Sequence, residues 1–330
     1  MWRFALLFFI YILLSKFLEP NCEQNSKCLC ENHNFCYSPS LLQQNTSTII
    51  GKKFDCSYLT TLKNLGVLLQ EGFEDTSKVS REPENIVFLS ATSDDHLKFT
   101  RKSIESIRKS FPNQKYILYN LGISDRNSQK LLKDFENIEI RKFEFEKFPK
   151  HVGNLMEYRW KPLIIAEVLK EYSNVWWMDA HIILNSDERN LTNRIYEERA
   201  SGVRLTSDIV FTITTMHSNF AVLHPKLLEY FPSSIYFLKK SAQLGANFMY
   251  FARTRESLEV VKWWILCALD EQCMGPEGAK IKCKFDKKNK YDINANCFRF
   301  DQSVLNLLLL NRFRDHNKYR SANGFANSHY

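Results

Sequence analysis

From Glu84 to Met178, short apolar runs alternate with longer amphipathic ones, and this alternation narrows the possible folds more than any other feature of the chain. Ile86-Val87-Phe88-Leu89-Ser90-Ala91 reads as a buried strand, and Leu97 to Phe111 as a helix with Ile104, Ile107 and Phe111 on one face. Tyr116 to Leu121 is a second strand, Asp125 to Phe135 a second helix, and Ile138 to Phe145 a strand with alternating apolar positions. A helix from Glu157 to Tyr172 turns Trp160, Leu163, Ile164, Val168 and Leu169 inward and leads to the strand Val175 to Met178. Strand–helix–strand units wind right-handed, so the pattern predicts an α/β fold with a mostly parallel central sheet flanked by helices and its active edge at the strand carboxyl ends. The second half mixes a strand, Ile209 to Thr214, with helices at Pro225 to Tyr230, Arg255 to Asp270 and Arg299 to Leu310. Their order and pairing do not follow from the pattern.

The amino-terminal part has a different texture. Arg3 precedes an apolar run from Phe4 to Leu14 that resumes at Phe17-Leu18, which reads as a signal anchor or signal peptide over residues 1–18. A membrane-spanning helix wants about 20 apolar residues, and this run is shorter. No small-x-small cleavage site follows, because Glu19-Pro20-Asn21-Cys22 comes next, so an uncleaved anchor with its amino terminus in the cytosol is expected. A cleaved signal and a secreted protein is the alternative. Residues 19–83 are polar and cysteine-rich and read as a stem or cap, and residues 84–330 as one α/β domain.

Nine cysteines fall into an early and a late group, as expected for disulfides formed in a secretory lumen. The four late ones can pair in three ways, and five early ones leave one over. A zinc site from Cys28, Cys30, His33 and Cys36 is the minor alternative. Two glycosylation sequons, at Asn45 and Asn190, would be usable there. The net charge is +8, but the basic residues are spread along the chain and no aromatic–basic nucleic-acid motif accompanies them. The expectation is no nucleic-acid partner, and membrane association through the amino-terminal segment.

One strand end carries chemistry. Asn174-Val175-Trp176-Trp177-Met178 delivers Asp179 and His181, two positions apart and therefore on one side of an extended chain. A carboxylate with a neutral imidazole suits Mn²⁺ or Zn²⁺ better than Ca²⁺. The plainer alternative is a turn in which Asp179 accepts backbone hydrogen bonds. Asp94 and Asp95 follow the first strand at the same edge, where they either meet a ligand or cap the Leu97 helix. Asp301 opens a helix, a position favoured by the macrodipole in any protein. His217 and His224 are candidates to complete a metal shell.

Tyr158-Arg159-Trp160-Lys161-Pro162-Leu163, Trp176-Trp177-Met178-Asp179 and Phe300-Asp301-Gln302-Ser303-Val304-Leu305-Asn306, in that order, resemble a nematode-expanded family of secretory proteins, the domain of unknown function 1647, which in turn looks like the GT-A class of glycosyltransferases. The resemblance covers about Glu84 to Arg314. It implies a luminal enzyme, type II in the Golgi or endoplasmic reticulum membrane, that transfers sugar from a nucleotide-sugar, a UDP-sugar above all, to a glycan or protein acceptor. It implies a metal motif at Asp179-Ala180-His181 holding Mn²⁺ or another divalent cation, in place of the usual Asp-x-Asp. Asp94, Asp95 and Lys161 would then bind the nucleotide and its phosphates. Asp301 would be a general base or sugar contact, and Gln302 would hydrogen-bond the sugar. The alternative is a GT-A-like binding protein that keeps the fold and has lost the chemistry. No Gly-x-Ser-x-Gly or His-Glu-x-x-His motif supports a hydrolase.

Overall fold

A computed structural model describes residues 27–39, 49–69, 82–184, 190–322 and 325–328. The apolar run over residues 1–18, Cys22 and the sequon at Asn45 lie outside these residues. Among the described residues no helix is long and apolar enough to cross a membrane.

The predicted alternation is present. Strand β1 (Ile86–Thr92) is followed by α1 (Leu97–Ser110), β2 (Tyr116–Asn120), α2 (Asp125–Asp134), β3 (Ile138–Lys142), α3 (Trp160–Leu169) and β4 (Asn174–Met178). After them come β5 (Ile209–Ser218), β6 (Ala242–Ala252), α4 (Arg255–Leu269) and α5 (Phe300–Phe313). The central sheet has the order β3-β2-β1-β4-β6-β5. Its first four strands are mutually parallel, whereas β6 runs antiparallel to both β4 and β5. The sheet is therefore mixed, with five of its six strands running one way and β6 against them. The reason is β6, a long strand that inserts beside β4, with Gln243, Gly245 and Asn247 breaking its first half and Phe248 to Ala252 apolar throughout.

Residues alternate between two cores. Val87, Leu89, Ala91, Val175 and Trp177 join one apolar cluster with α3, α4 and α5, while Phe88, Trp176 and Met178 join another with Ile104 and Ile107 of α1. Period-two strands thus bury both faces, as a sheet covered by helices on each side must.

The cysteine-rich segment is tied by Cys28–Cys36 and Cys30–Cys56, which removes the thiolates that a zinc site would need. Its Phe35, Phe54, Leu59 and Leu62 belong to the first cluster. Lys52 N–H donates to the carbonyl of Glu229 at 2.7 Å, and a Cβ on neighbouring Gly51 would sit 1.9 Å from the Tyr230 carbonyl oxygen. Only glycine permits that close approach. The late cysteines pair as Cys267–Cys273 and Cys283–Cys297.

Candidate functional site

Asp179 is the first residue beyond β4, and its N–H donates to the carbonyl of Asn247 on β6 at 2.8 Å. Its Oδ1 accepts the indole N–H of Trp177 at 2.8 Å. Lys161 is the second residue of α3, a helix apolar nearly all round, and its side chain is buried rather than reaching for solvent. Its Nζ lies 3.1 Å from Asp179 Oδ1 and 2.8 Å from Asp301 Oδ2, and donates to the Ala246 carbonyl at 3.1 Å. The Ala246 carbonyl takes the hydrogen bond, while the two carboxylates pair with the ammonium by charge and Asp301 Oδ2 has no hydrogen-bond partner among the described residues. The rings of Tyr158 and Trp177 face the same nitrogen at 5.2 and 5.3 Å from their centroids. Asp301 stands in the first turn of α5, so the helix dipole also favours its charge.

Burial alone would depress the Lys161 ammonium, yet Asp179 and Asp301 together hold its pKa well above the usual value. Burial is also the larger influence on Asp301, and there it prevails over Lys161: the carboxyl is pushed up to about 6 from 3.8. Folding therefore takes up a proton on Asp301 between these two values. That contribution to stability is fully present below about pH 4 and is lost as pH rises through 6. Asp301→Asn, which cannot titrate, should gain about 2–3 kcal/mol on the wild type between pH 4 and 7. Urea midpoints of the two proteins across that range measure it. A difference that does not change with pH would contradict the buried placement of Asp301.

A pocket of about 130 Å³ opens beside this cluster. Side-chain exposure is 21% for Asp179 against 3% for Lys161 and 5% for Asp301, so Asp179 is the acid that faces the opening. Asn247 lines the pocket, and its Oδ1 is buried without a hydrogen-bond partner among the described residues. Gly245 makes room for it, since a Cβ there would lie 2.7 Å from that oxygen. Arg299 lines the pocket too, just before α5, and its guanidinium makes no hydrogen bond or ion pair among the described residues. Tyr158 and Phe300 form part of the wall, and both have left-handed backbones, with φ of 55° and 41°. Bulky residues held in that region mark places where the surrounding structure sustains strain, which clusters at ligand sites.

The other residues singled out from the sequence have different surroundings. Gln302 has both ends of its amide engaged inside the protein: Oε1 accepts from Ala246 N–H at 3.1 Å and Nε2 donates to Gln243 Oε1 at 2.6 Å. It braces β6 and, partly exposed, also lines the pocket. Asp94 and Asp95 lie at the same sheet edge but are exposed. Asp94 Oδ1 accepts from Asn127 and from Ser124 N–H, and Asp95 from Ser93 and His96, bonds that lower both pKa values. Lys161, expected to meet phosphate, meets two carboxylates. His217 Nδ1 lies 3.1 Å from the Ser218 carbonyl with its ring against Phe285, and His224 lies beside Phe298.

The expected divalent cation fits this donor set poorly. Burial lowers the pKa of His181, which favours a neutral, ligating imidazole. Asp179 Oδ1, however, already takes two donors, and the space between the two acids holds an ammonium group. A doubly charged ion about 4 Å from that group would be repelled by roughly 8 kcal/mol at an effective dielectric of about 20. No three His, Cys, Asp or Glu side chains gather into an ion cage among the described residues.

Asn247, Arg299, Tyr158 and Phe300 were not assigned to the site from the sequence, although Tyr158 and Phe300 open two of the resemblance motifs and Arg299 directly precedes the second of these.

Comparison with known proteins agrees with the resemblance. Residues 22–166 match the family described as "Protein of unknown function (DUF1647)". That span includes the cysteine-rich segment, which the motifs had placed outside, and ends before Asp179 and Asp301. None of the curated proteins matches the sequence. Among solved structures, the chain is similar to core-mannan synthase A (CmsA/Ktr4) from Aspergillus fumigatus in its Mn/GDP form, at 12% identity over 82% of each chain and a TM-score of 0.45. It is similar to the galactosyltransferase LgtC with donor and acceptor sugar analogues, at 15% identity over 67% of this chain and 70% of that one, TM-score 0.38. A third is the mannosyltransferase Ktr4p from S. cerevisiae, at 13% identity over 69% and 73%, TM-score 0.39. The chain is an α/β protein with a mixed, helix-flanked sheet, and residues 22–166 of it match the DUF1647 family.

Proposed function

We propose that the chain is a glycosyltransferase that takes a nucleotide-sugar, a UDP-sugar in the first instance, and transfers the sugar to a glycan or protein acceptor. One observation carries the reading: the pocket at the carboxyl edge of β4 joins an open carboxylate, aromatic walls, and an amide oxygen and a guanidinium that have no hydrogen-bond partner among the described residues. Asp179 and Asn247 offer acceptors to sugar hydroxyls, and Tyr158, Phe298 and Phe300 offer apolar faces. Arg299, at the amino-terminal end of α5, suits the diphosphate, whose charge grows as the glycosidic bond breaks. Asp94 and Asp95 remain open on the same edge for the nucleoside. Lys161 holds Asp179 in place, and Asp179 replaces Asp301 as the candidate base because it is the more exposed of the two acids that line the pocket, at 21% against 5%.

Four disulfides support an oxidising compartment. With the apolar run at 1–18, they favour a luminal domain at 84–330 carried on the stem at 19–83. The placement is a type II membrane protein of the Golgi or endoplasmic reticulum, with secretion as the alternative.

A panel of nucleotide-sugars tests the activity. Asp179→Asn keeps the acceptor for Trp177 and should lower donor turnover by about 10²–10⁴-fold with a nearly unchanged melting temperature. Turnover at the wild-type rate would remove Asp179 from the mechanism. The second reading, a binding protein without activity, is favoured by Gln302, whose amide oxygen and one amide proton are taken by Ala246 and Gln243. It gains if no nucleoside diphosphate raises the melting temperature, because a ligand of the folded state must stabilise it.

A further inference from the structure

Resting on the pocket as a nucleotide-sugar site, we infer that Lys161 is its resident cation and that the protein binds its donor without a divalent metal, the diphosphate being met by Arg299. The position between Asp179 and Asp301 is where two acids would clasp an ion. Lys161 Nζ fills it at 3.1 and 2.8 Å and donates a hydrogen bond to the Ala246 carbonyl. The ammonium is covalently fixed, buried, and flanked by the rings of Tyr158 and Trp177, so nothing on its own side chain releases it to solvent. It balances one of the two negative charges permanently, which weakens the pair as a cation trap and lessens its repulsion of an incoming phosphate. Arg299 is the complementary part. It reaches the same pocket from another element and has no protein partner among the described residues, so its charge is available to a diphosphate. A planar guanidinium also pairs with two phosphate oxygens at once.

Two measurements on the purified chain decide this separately from the activity. In the first, nucleotide-free protein is titrated with Mn²⁺ and unbound Mn²⁺ is followed by electron paramagnetic resonance. The wild type should leave Mn²⁺ free, and Lys161→Met should bind it about tenfold more tightly or better once the competing charge is gone. Stoichiometric binding by the wild type, or a folded Lys161→Met that binds no better, overturns the inference. Should Lys161→Met fail to fold, the wild-type titration decides alone. In the second, melting temperatures are recorded with UDP and GDP in EDTA and in Mn²⁺. An equal rise in both, lost in Arg299→Gln, is the expected result, and a rise that requires Mn²⁺ overturns it. No rise in either removes the nucleotide-sugar reading instead, while the Mn²⁺ titration still reports on Lys161.

Discussion

Lys161→Met should lower the stability of the folded chain by about 3–5 kcal/mol, the cost of leaving buried charge without its partner. The methionine fills a similar volume, so lost packing contributes little and the effect is electrostatic. Asp301 suffers most, because at 4% exposure it has no water to replace an ammonium at 2.8 Å. Asp179 is partly open and is rescued by solvent. Two consequences separate this account from a general weakening of α3. Adding Asp301→Asn to Lys161→Met should restore more than half of the loss, because an amide needs no counter-ion. The deficit of the single variant should also shrink toward acid pH, where the Asp301 carboxyl, raised already in the wild type, takes up its proton. Urea midpoints at constant slope measure both. A loss below about 1 kcal/mol would mean that the cluster is a solvated surface pair.

Arg159→Ala should be as damaging, by about 3–5 kcal/mol, for a different reason. The Arg159 side chain is fully buried and its guanidinium donates to the carbonyls of Ala268, Asp270 and Glu271 at 3.0, 2.8 and 2.7 Å, and to Glu157. The first two are carbonyls at the carboxyl end of α4, which have no partner within the helix and carry its negative pole. One side chain therefore fastens the start of α3, and with it Lys161, to the end of α4. Arg159→Lys should recover little, since a single ammonium cannot present a planar fork to several oxygens. Thermal unfolding followed by circular dichroism compares the two variants. A lysine variant that melts with the wild type would show that charge alone, without the fork, suffices.

The legible part of the fold was the part with a short period. Val87, Leu89 and Ala91 facing one core and Phe88 the other follow from strand alternation, and each of the elements from β1 to β4 was identified within a few residues of its ends. The helix leading to β4 was read too long because Tyr158 has a left-handed backbone, which stops the helical hydrogen bonds short and which no periodicity announces. The first half of β6 carries no strand pattern because its apolar residues are broken by Gln243, Gly245 and Asn247, whereas Phe248 to Ala252 is an apolar run that a strand assignment could have used. Those three positions have tertiary duties: Gln243 pairs with Gln302 and Ser303, Gly245 clears space, and Asn247 lines the pocket.

The sequence by itself determined the strand–helix winding, the delivery of Asp179 to a strand end, and the helix start at Asp301, because each depends on neighbours a few residues apart. Only the tertiary structure decided that Lys161 stands between those two acids, that β6 runs against β4, and that Arg299 and Asn247 meet them at one opening. Those outcomes depend on groups far apart in the chain and on how much water is removed around them. Charge and desolvation act through space, and residue order carries no direct record of either.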